Sequence, residues 1–319
     1  MNGIQLIAGT SHPVLAKKIA KRLKIDLTPV LIKKFPNGEI YVRLGKKVRG
    51  DDIYVIQTMT NPVNDYLMET LILVDALKRS SARRINLICP QLCYSRQDRR
   101  TQSHEPITAK LVANLITKAG VDRLVTVDLH ADQIQGFYDI PVDHLVGYPL
   151  IAKYIKTKKY DNLVIVSPDI GGAKKANKIA DLFGAPIAII NKVRRQHSQS
   201  EVTHVVGDVK GKTALLIDDI VDGGGSICGA AEAVKKCGAK EIIIAATHAL
   251  LNGEAVKRLN ESSASQIIFL DSVPIPKDKI INNLKIISLA PLLSNIIHRI
   301  HTERSLGELF KWEDESKLL

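Results

Sequence analysis

The run Leu215-Leu216-Ile217-Asp218-Asp219-Ile220-Val221-Asp222-Gly223-Gly224-Gly225-Ser226-Ile227 passes from unbroken apolar residues to carboxylates, then to three glycines, then into helical spacing. Its first part, with Ala214, reads as a strand buried on both faces, because parallel strands covered by helices show continuous apolar runs. Beyond the glycines, Ile227, Ala230, Ala231 and Val234 recur at helical spacing and Gly238 supplies a stop. That order builds an anion cradle. Glycines let successive backbone N–H groups point at one anion, and the helix N-terminus adds the positive end of its dipole. The Ser226 hydroxyl adds a donor, while the lysine of a P-loop is missing. Asp218, Asp219 and Asp222 suit a sugar diol or a hydrated cation.

Working outward, two further strands end in related loops. Leu163–Val166 leads into Ser167-Pro168-Asp169-Ile170-Gly171-Gly172-Ala173-Lys174, then a helical face of Ala176, Ile179, Ala180 and Phe183 that stops at Gly184. This predicts a second pocket for an anion or a magnesium-bound phosphate. Leu124–Val127 leads into Asp128-Leu129-His130-Ala131-Asp132-Gln133 and on to Asp139 and Asp143. Carboxylates with one imidazole can hold hydrated Mg²⁺, which keeps most of its waters and takes few protein ligands. The alternative is that Asp128 caps a turn and His130 is a structural hydrogen-bonding group; the spacing leaves both open.

Apolar runs at Ile53–Gln57, Ile85–Cys89, Ile187–Ile190, Ile242–Ala245, Ile267–Leu270 and Ile286–Leu289 predict further strands. Helices are expected after Ser11, as cap, with Pro13 in the first turn; on the face Leu67, Leu71, Val74 and Leu77; and on the face Leu111, Leu115 and Ala119 before Gly120. Strands alternating with helices imply an α/β fold. The pattern runs twice, over residues 1–145 and 146–319. Two similar domains are expected, each with a largely parallel sheet flanked by helices. A helix within 291–310 is expected to pack back on the first domain.

Three more segments carry polar chemistry. Asn191-Lys192-Val193-Arg194-Arg195-Gln196-His197-Ser198-Gln199-Ser200 reads as a loop able to close over a polyphosphate, or as a solvated hairpin. Phe35-Pro36-Asn37-Gly38-Glu39 is a turn between strands with an exposed aromatic, and Tyr94-Ser95-Arg96-Gln97-Asp98-Arg99-Arg100 is a basic loop after a strand. Together they offer a purine nucleotide an aromatic face, polar edges and arginine for phosphate.

Composition narrows the partners. The 319 residues carry a net charge of +12, with 45 basic and 33 acidic side chains, which favours anionic ligands. Aromatic residues are only 4%, with no stacking platform, so small phosphates fit better than nucleic acid. Cys89, Cys93, Cys228 and Cys237 lack zinc-site spacing and lie in or beside apolar runs, so buried free thiols and a reducing compartment are expected. The N-terminal residues lack a secretory pattern and no apolar run approaches about 20 residues. A cytoplasmic location, away from membranes, is the expectation.

With these motifs in place, the chain resembles the ribose-phosphate pyrophosphokinases over nearly its whole length, from Gly9-Thr10-Ser11-His12 to Leu309-Phe310. The most specific stretch is Asp128-Leu129-His130-Ala131-Asp132-Gln133-Ile134-Gln135-Gly136-Phe137-Tyr138-Asp139-Ile140-Pro141-Val142-Asp143, while the Asp218–Ser226 loop is shared with phosphoribosyltransferases generally. The resemblance implies two phosphoribosyltransferase-type domains in a homo-oligomer, a hexamer. It implies ATP, ribose 5-phosphate and Mg²⁺ as ligands. ATP would meet Phe35, Asn37, Gly38, Glu39, Arg96 and Gln97, with adenine between neighbouring subunits. Ribose 5-phosphate would meet Arg194, Asp218, Asp219, Asp222, Gly223, Gly224, Gly225 and Ser226. Asp169, Gly171, Gly172 and Lys174 would face the pyrophosphoryl group, and His130, Asp169, Asp128, Asp139 and Asp143 would form the metal motif. Lys192 and Arg194 would be the catalytic cations. The chain departs from the family's pattern at Asn37, where many members have aspartate. It also departs at Lys47 and His104, where members controlled by ADP and phosphate have serine and arginine. A phosphoribosyltransferase that consumes the activated sugar, and a non-catalytic regulatory paralogue, are the rival readings.

Overall fold

The structure, a computed structural model, describes residues 3–194 and 201–307, without the side chains of 192–194 and 201–203. It divides into two compact units. The first runs to Val146 and also takes Ser272–Pro274 and the residues from Ser288 on; the second is Gly147–Asp271 with Ile275–Ile287.

In chain order the first unit holds β1 (Ile4–Ala8), α1 (Pro13–Leu23), β2 (Val30–Lys34), β3 (Ile40–Leu44), β4 (Asp52–Ile56), α2 (Val63–Arg79), β5 (Arg84–Ile88), α3 (Thr108–Ala119), β6 (Arg123–Val127), a 3₁₀ turn over Asp132–Phe137 and β7 (Val142–Leu145). Strands pair in the order β1-β4-β5-β6-β7, all parallel, and β2 and β3 form a separate antiparallel hairpin. Leu73, Val74 and Leu77 of α2 and Val112, Ala113 and Ile116 of α3 share one core with Ile53, Val55, Leu87 and Leu124.

The second unit holds α4 (Tyr148–Lys158), β8 (Leu163–Ser167), α5 (Ala173–Phe183), β9 (Ile187–Arg194), β10 (Glu201–Val206), β11 (Thr213–Val221), α6 (Gly225–Lys236), β12 (Glu241–Ala249), α7 (Ala255–Glu261), β13 (Gln266–Leu270) and β14 (Leu284–Ile287). Its sheet runs β10-β9-β8-β11-β12-β13-β14, parallel except for the β9–β10 edge pair. The chain leaves β8 toward β9 on one side and returns to β11 on the other. Strand order therefore reverses between β8 and β11, and at such a point the crevice beyond the carboxyl ends is open to a ligand. Finally α8 (Ala290–His301) returns to the first unit and packs on α1, with Arg22 Nε donating to Ser294 Oγ at 3.2 Å.

Several local expectations change. His12, not Ser11, caps α1: its Nδ1 accepts from Leu15 N, while the Ser11 hydroxyl is buried on Gln57 and accepts from Thr58 N. On α3 the buried residues are Ala109, Val112, Ala113 and Ile116, and Leu111 and Leu115 are 56% and 40% exposed. The helix is apolar on two sides, and the side that carries the two alanines, Val112 and Ile116 faces the core. Cys89, Cys93 and Cys228 are buried as expected, but Cys237, the residue after α6, is exposed.

Candidate active site

Two glycine turns flank the strand reversal in the second unit, one after β8 and one after β11. After β8, Asp169 Oδ1 accepts from Gly172 N at 2.8 Å and the Ser167 hydroxyl donates to Asp169 O at 2.7 Å, folding the turn on itself. A Cβ on Gly172 would lie 2.6 Å from Ser167 Oγ, so a side chain there would force the turn apart. Ala176 N then donates to Gly172 O and α5 begins. Asp169, Gly171 and Lys174 are exposed at this mouth.

After β11, Gly224 has φ +73 and caps α6 without a side-chain hydrogen bond. The first intrahelical bond runs from Cys228 N to Gly224 O. The N–H groups of Gly225, Ser226 and Ile227 precede it and have no acceptor within the helix. Asp222–Gly224 thus form the turn that opens α6. The strand before it is longer than expected. Asp218 and Asp219 do not leave β11 but sit inside it, because β12 also runs on and pairs Asp218 with Ala246 and Val221 with Ala249.

Asp218 and Asp219 interact closely: Asp219 N donates to Asp218 Oδ1 at 2.8 Å. Burial, and then the hydrogen bond and charge of Asp219, push the Asp218 carboxyl well above the usual range; the Asp219 N–H and Lys175 oppose this. Lys175 reaches across from α5, its Nζ 3.8 Å from Asp219 Oδ1. It joins the two loops of the reversal, and the sequence reading passed over it for the neighbouring Lys174.

Of the two readings of 191–200, a closing loop or a hairpin, the structure takes the hairpin for its first part. Asn191–Arg194 continue β9, with Lys192 opposite Thr203 and Arg194 opposite Glu201 on β10, so the segment is one arm of a hairpin. Residues 195–200 lie outside the described residues, as do the side chains of Lys192 and Arg194.

In the first unit, the polar segments meet near the start of α2. The Phe35–Glu39 turn closes with Phe35 N on Glu39 O at 2.8 Å and Gly38 at φ +91, leaving Phe35 42% exposed. The Phe35 and Tyr41 rings meet edge to face at 5.8 Å, with Lys33 Nζ over both. Lys34 pairs with Asp65 at the start of α2, and Tyr94 donates to the adjacent Asn64. From Tyr94 the basic loop turns to α3: Gln97 accepts from Thr108 Oγ1 at 2.6 Å, while Arg96 is exposed. Gln133 Nε2 donates to Asp98 Oδ2 at 3.2 Å, bringing the Asp128–Asp143 segment alongside.

Within that segment the acidic residues separate. Asp128 is buried at φ +42, its N–H on Leu145 O, where the chain bends sharply out of β6. His130 and Asp139 are exposed. Asp143 is buried on β7 with Oδ2 2.7 Å from Arg123 Nη1. His144, overlooked in the sequence because nothing in its spacing marks it, accepts from Leu129 N at 2.8 Å and so holds the bend. Among the described residues no three His, Cys, Asp or Glu side chains group closely enough to hold an ion. A ready-made cage is what a structural metal needs; Mg²⁺ carried in on a phosphate takes few protein ligands. Lys47 and His104, the positions that depart from the resembled pattern, are both exposed, His104 at φ +67.

Comparison with known proteins identifies the family. A family model described as the N-terminal domain of ribose phosphate pyrophosphokinase matches residues 4–120, and one described as the phosphoribosyl transferase domain matches 147–277. The ribose-phosphate pyrophosphokinase of Clostridium acetobutylicum is 47% identical over 97% of this chain and 98% of its own. That of Bacillus subtilis is 46% identical over 96% and 97%. The crystal structure of phosphoribosylpyrophosphate synthetase from Mycobacterium smegmatis superposes with a TM-score of 0.91, covering 95% of this chain and 100% of that one, at 46% identity. An α/β chain with both domains and near full-length relatives of one kind belongs to the ribose-phosphate pyrophosphokinase family.

Proposed function

We infer that the chain transfers the pyrophosphoryl group of Mg²⁺–ATP to the C1 hydroxyl of ribose 5-phosphate, giving 5-phosphoribosyl 1-pyrophosphate and AMP. The observation that carries the reading is the pair of anion turns, Asp169–Lys174 and Asp222–Ser226, flanking one strand reversal with two aspartates between them. The N–H groups at Gly223–Ser226 take the 5-phosphate, and Asp218 and Asp219 take the ribose hydroxyls. The Asp169 turn faces the pyrophosphoryl group as it forms. Phe35 offers a ring to adenine, Asn37 and Glu39 offer polar edges, and Arg96 and Gln97 complete the ATP contacts.

The C1 oxygen attacks the β-phosphorus, its proton leaves, and the bond from that phosphorus to the AMP oxygen breaks. Charge spreads over the phosphoryl oxygens, so catalysis is positioning plus cationic stabilisation. Lys192 and Arg194, two residues apart on β9, supply that charge. A divalent ion, magnesium in this reading, would neutralise the polyphosphate when bound; His130 in the first unit and Asp169 in the second are each proposed as ligands, with Asp128 supporting the bend that carries His130.

The exposed apolar stripe of Leu111 and Leu115 on α3, with Ile107 at its cap, supports assembly with further copies of the chain, a hexamer in this reading. No helix among the described residues is long and apolar enough to cross a membrane, and the cytoplasm is the proposed location. Incubation with ATP, Mg²⁺ and ribose 5-phosphate tests the reading: AMP must appear in step with a sugar pyrophosphate. A homogeneous preparation that forms neither would favour the regulatory paralogue. One that consumes the sugar pyrophosphate with a free base would favour a phosphoribosyltransferase.

A further inference from the structure

The cradle after β11 is held from behind by one segment, the stretch from Leu250 into α7. Val221 O accepts from Leu250 N at 2.9 Å and Leu251 N at 3.1 Å, and Asp222 O accepts from Asn252 N at 3.0 Å. Gly223 O accepts from Arg258 Nη1 at 2.8 Å. Three successive carbonyls are therefore occupied by donors from the same stretch. In a trans peptide the N–H points opposite to the C=O of its own unit. Binding these carbonyls fixes the N–H groups of Asp222, Gly223 and Gly224 on the side away from the Leu250–Arg258 segment. Hydrogen bonding to a carbonyl also polarises its peptide unit and strengthens the N–H as a donor.

Arg258 differs from the other members of this brace. It is the cationic side chain in the set, and a charged donor polarises its acceptor more strongly than an amide does. Its Nη1 would lie 3.5 Å from a Cβ on Gly225 and 3.8 Å from one on Gly223, so the guanidinium overhangs the glycines themselves. Glu254 Oε2, 3.1 Å from Nη2, shares the charge and holds the side chain in place. Asn252 adds a second tie, its Nδ2 donating to Asp222 Oδ1 at 2.7 Å.

We infer that Arg258 is a positioning residue for the phosphate end of the sugar substrate: through the Gly223 carbonyl it aims and polarises the Gly224 N–H, and it adds positive charge behind the cradle. The inference rests on the reading of Asp222–Ser226 as the seat of the 5-phosphate. Asn252 supports the same turn without charge, which makes Arg258 the point at which the brace bears on anion affinity.

Steady-state kinetics of the full chain separates the possibilities. Arg258→Gln should raise KM for ribose 5-phosphate about threefold to tenfold, the range that one hydrogen bond is worth. KM for ATP should not move, and kcat should stay within about twofold. Arg258→Lys, which keeps a charged donor, should recover most of that loss. Glu254→Gln removes the compensating carboxylate and should leave KM for ribose 5-phosphate unchanged or lower. An unchanged KM in Arg258→Gln overturns the inference alone, as does an equal rise in both KM values, which marks a general loosening of the unit. If Arg258→Gln does not fold, Arg258→Lys set against Glu254→Gln decides the same point: a higher KM for ribose 5-phosphate in the second than in the first overturns it. Wild-type protein that makes no AMP from ATP and ribose 5-phosphate brings down the parent reading instead.

Discussion

Gly224→Ala puts the cradle's backbone under a direct test. Gly224 sits at φ +73, and a left-handed conformation costs a residue with a Cβ about 1–2 kcal/mol. The added methyl would also lie 3.3 Å from Ala255 Cα and 3.5 Å from Ala255 O, main-chain atoms at the start of α7 that cannot swing aside as a side chain can. Crowding of that kind adds about 1 kcal/mol or more. The unfolded chain loses freedom when glycine becomes alanine, which returns about 0.4–1 kcal/mol. The net is a destabilisation of about 1–3 kcal/mol, or about 3–9 °C in Tm for a unit of this size. Gly229→Ala is the control. Gly229 lies inside α6, outside the left-handed region, and nothing stands within 4 Å of its Cβ position. There alanine should stabilise by about 0.5–1 kcal/mol. Thermal unfolding of the two variants beside the parent chain gives the comparison, and ribose 5-phosphate kinetics gives the functional consequence. Gly224→Ala should raise KM for the sugar phosphate and leave KM for ATP in place, because turning one peptide swings a donor away from the anion. Equal Tm shifts in the two variants would refute the claim that the turn is left-handed and pressed against α7.

Other expectations follow from single observations. Lys192→Ala should lower kcat more than about a hundredfold with Tm unchanged, since a cation that meets charge developing in phosphoryl transfer is worth roughly 10³–10⁵ in rate; normal turnover would remove Lys192 from the chemistry. Asp218→Asn should stabilise the ligand-free protein at neutral pH and not at acid pH. Burial raises the Asp218 carboxyl in the folded chain, so its contribution is intact below the unfolded pKa and is lost as pH rises through the folded one; a Tm difference independent of pH would contradict this. Asp52 gives the opposite sign. Burial alone would push its carboxyl up, but hydrogen bonds from Arg84, Arg83 and His301 hold it far below the usual range, so the stability it adds between β4 and α8 should fade as pH drops through the acid range, and an Asp52→Asn variant should lose that part of the acid dependence. Leu111→Glu with Leu115→Glu should shift sedimentation toward smaller species, because the stripe they break is apolar and exposed; an unchanged profile would assign the stripe to the monomer surface.

The features legible in the sequence are those whose cause is local. Strands buried on both faces announce themselves as apolar runs, and β5, β6, β8, β11, β12 and β13 lie where such runs stand. The glycine turns before α5 and α6 were equally plain, since each must admit a backbone that a Cβ would obstruct. Boundaries set by a partner were not legible. β9 and β11 outrun their apolar stretches because β10 and β12 continue beside them, and pairing overrides the polarity of Asn191, Lys192, Asp218 and Asp219. The wrong face of α3 has a similar origin. Leucines outweigh alanines in any reading of periodicity, yet Ala109 and Ala113 are buried with Val112 and Ile116, and the space left by the surrounding core decides between the two faces.

The two units also explain why the site reads unevenly. In the second, strand order reverses between β8 and β11, so topology alone singles out two loops, and both carry glycine and aspartate. In the first, the strands follow one another across the sheet without reversal, and no crevice is set by the order of strands. Its polar segments are gathered by side chains instead: Lys34 to Asp65, Tyr94 to Asn64, Gln133 to Asp98. Such links join residues 30 or more apart in sequence and leave no periodic trace. The same holds for Arg258, 35 residues from the carbonyl it caps. Anion affinity in a glycine turn depends on which way a few peptides face, and here that direction is set by a segment on the far side of a strand and a helix. A sequence displays the turn; the force that aims it comes from packing.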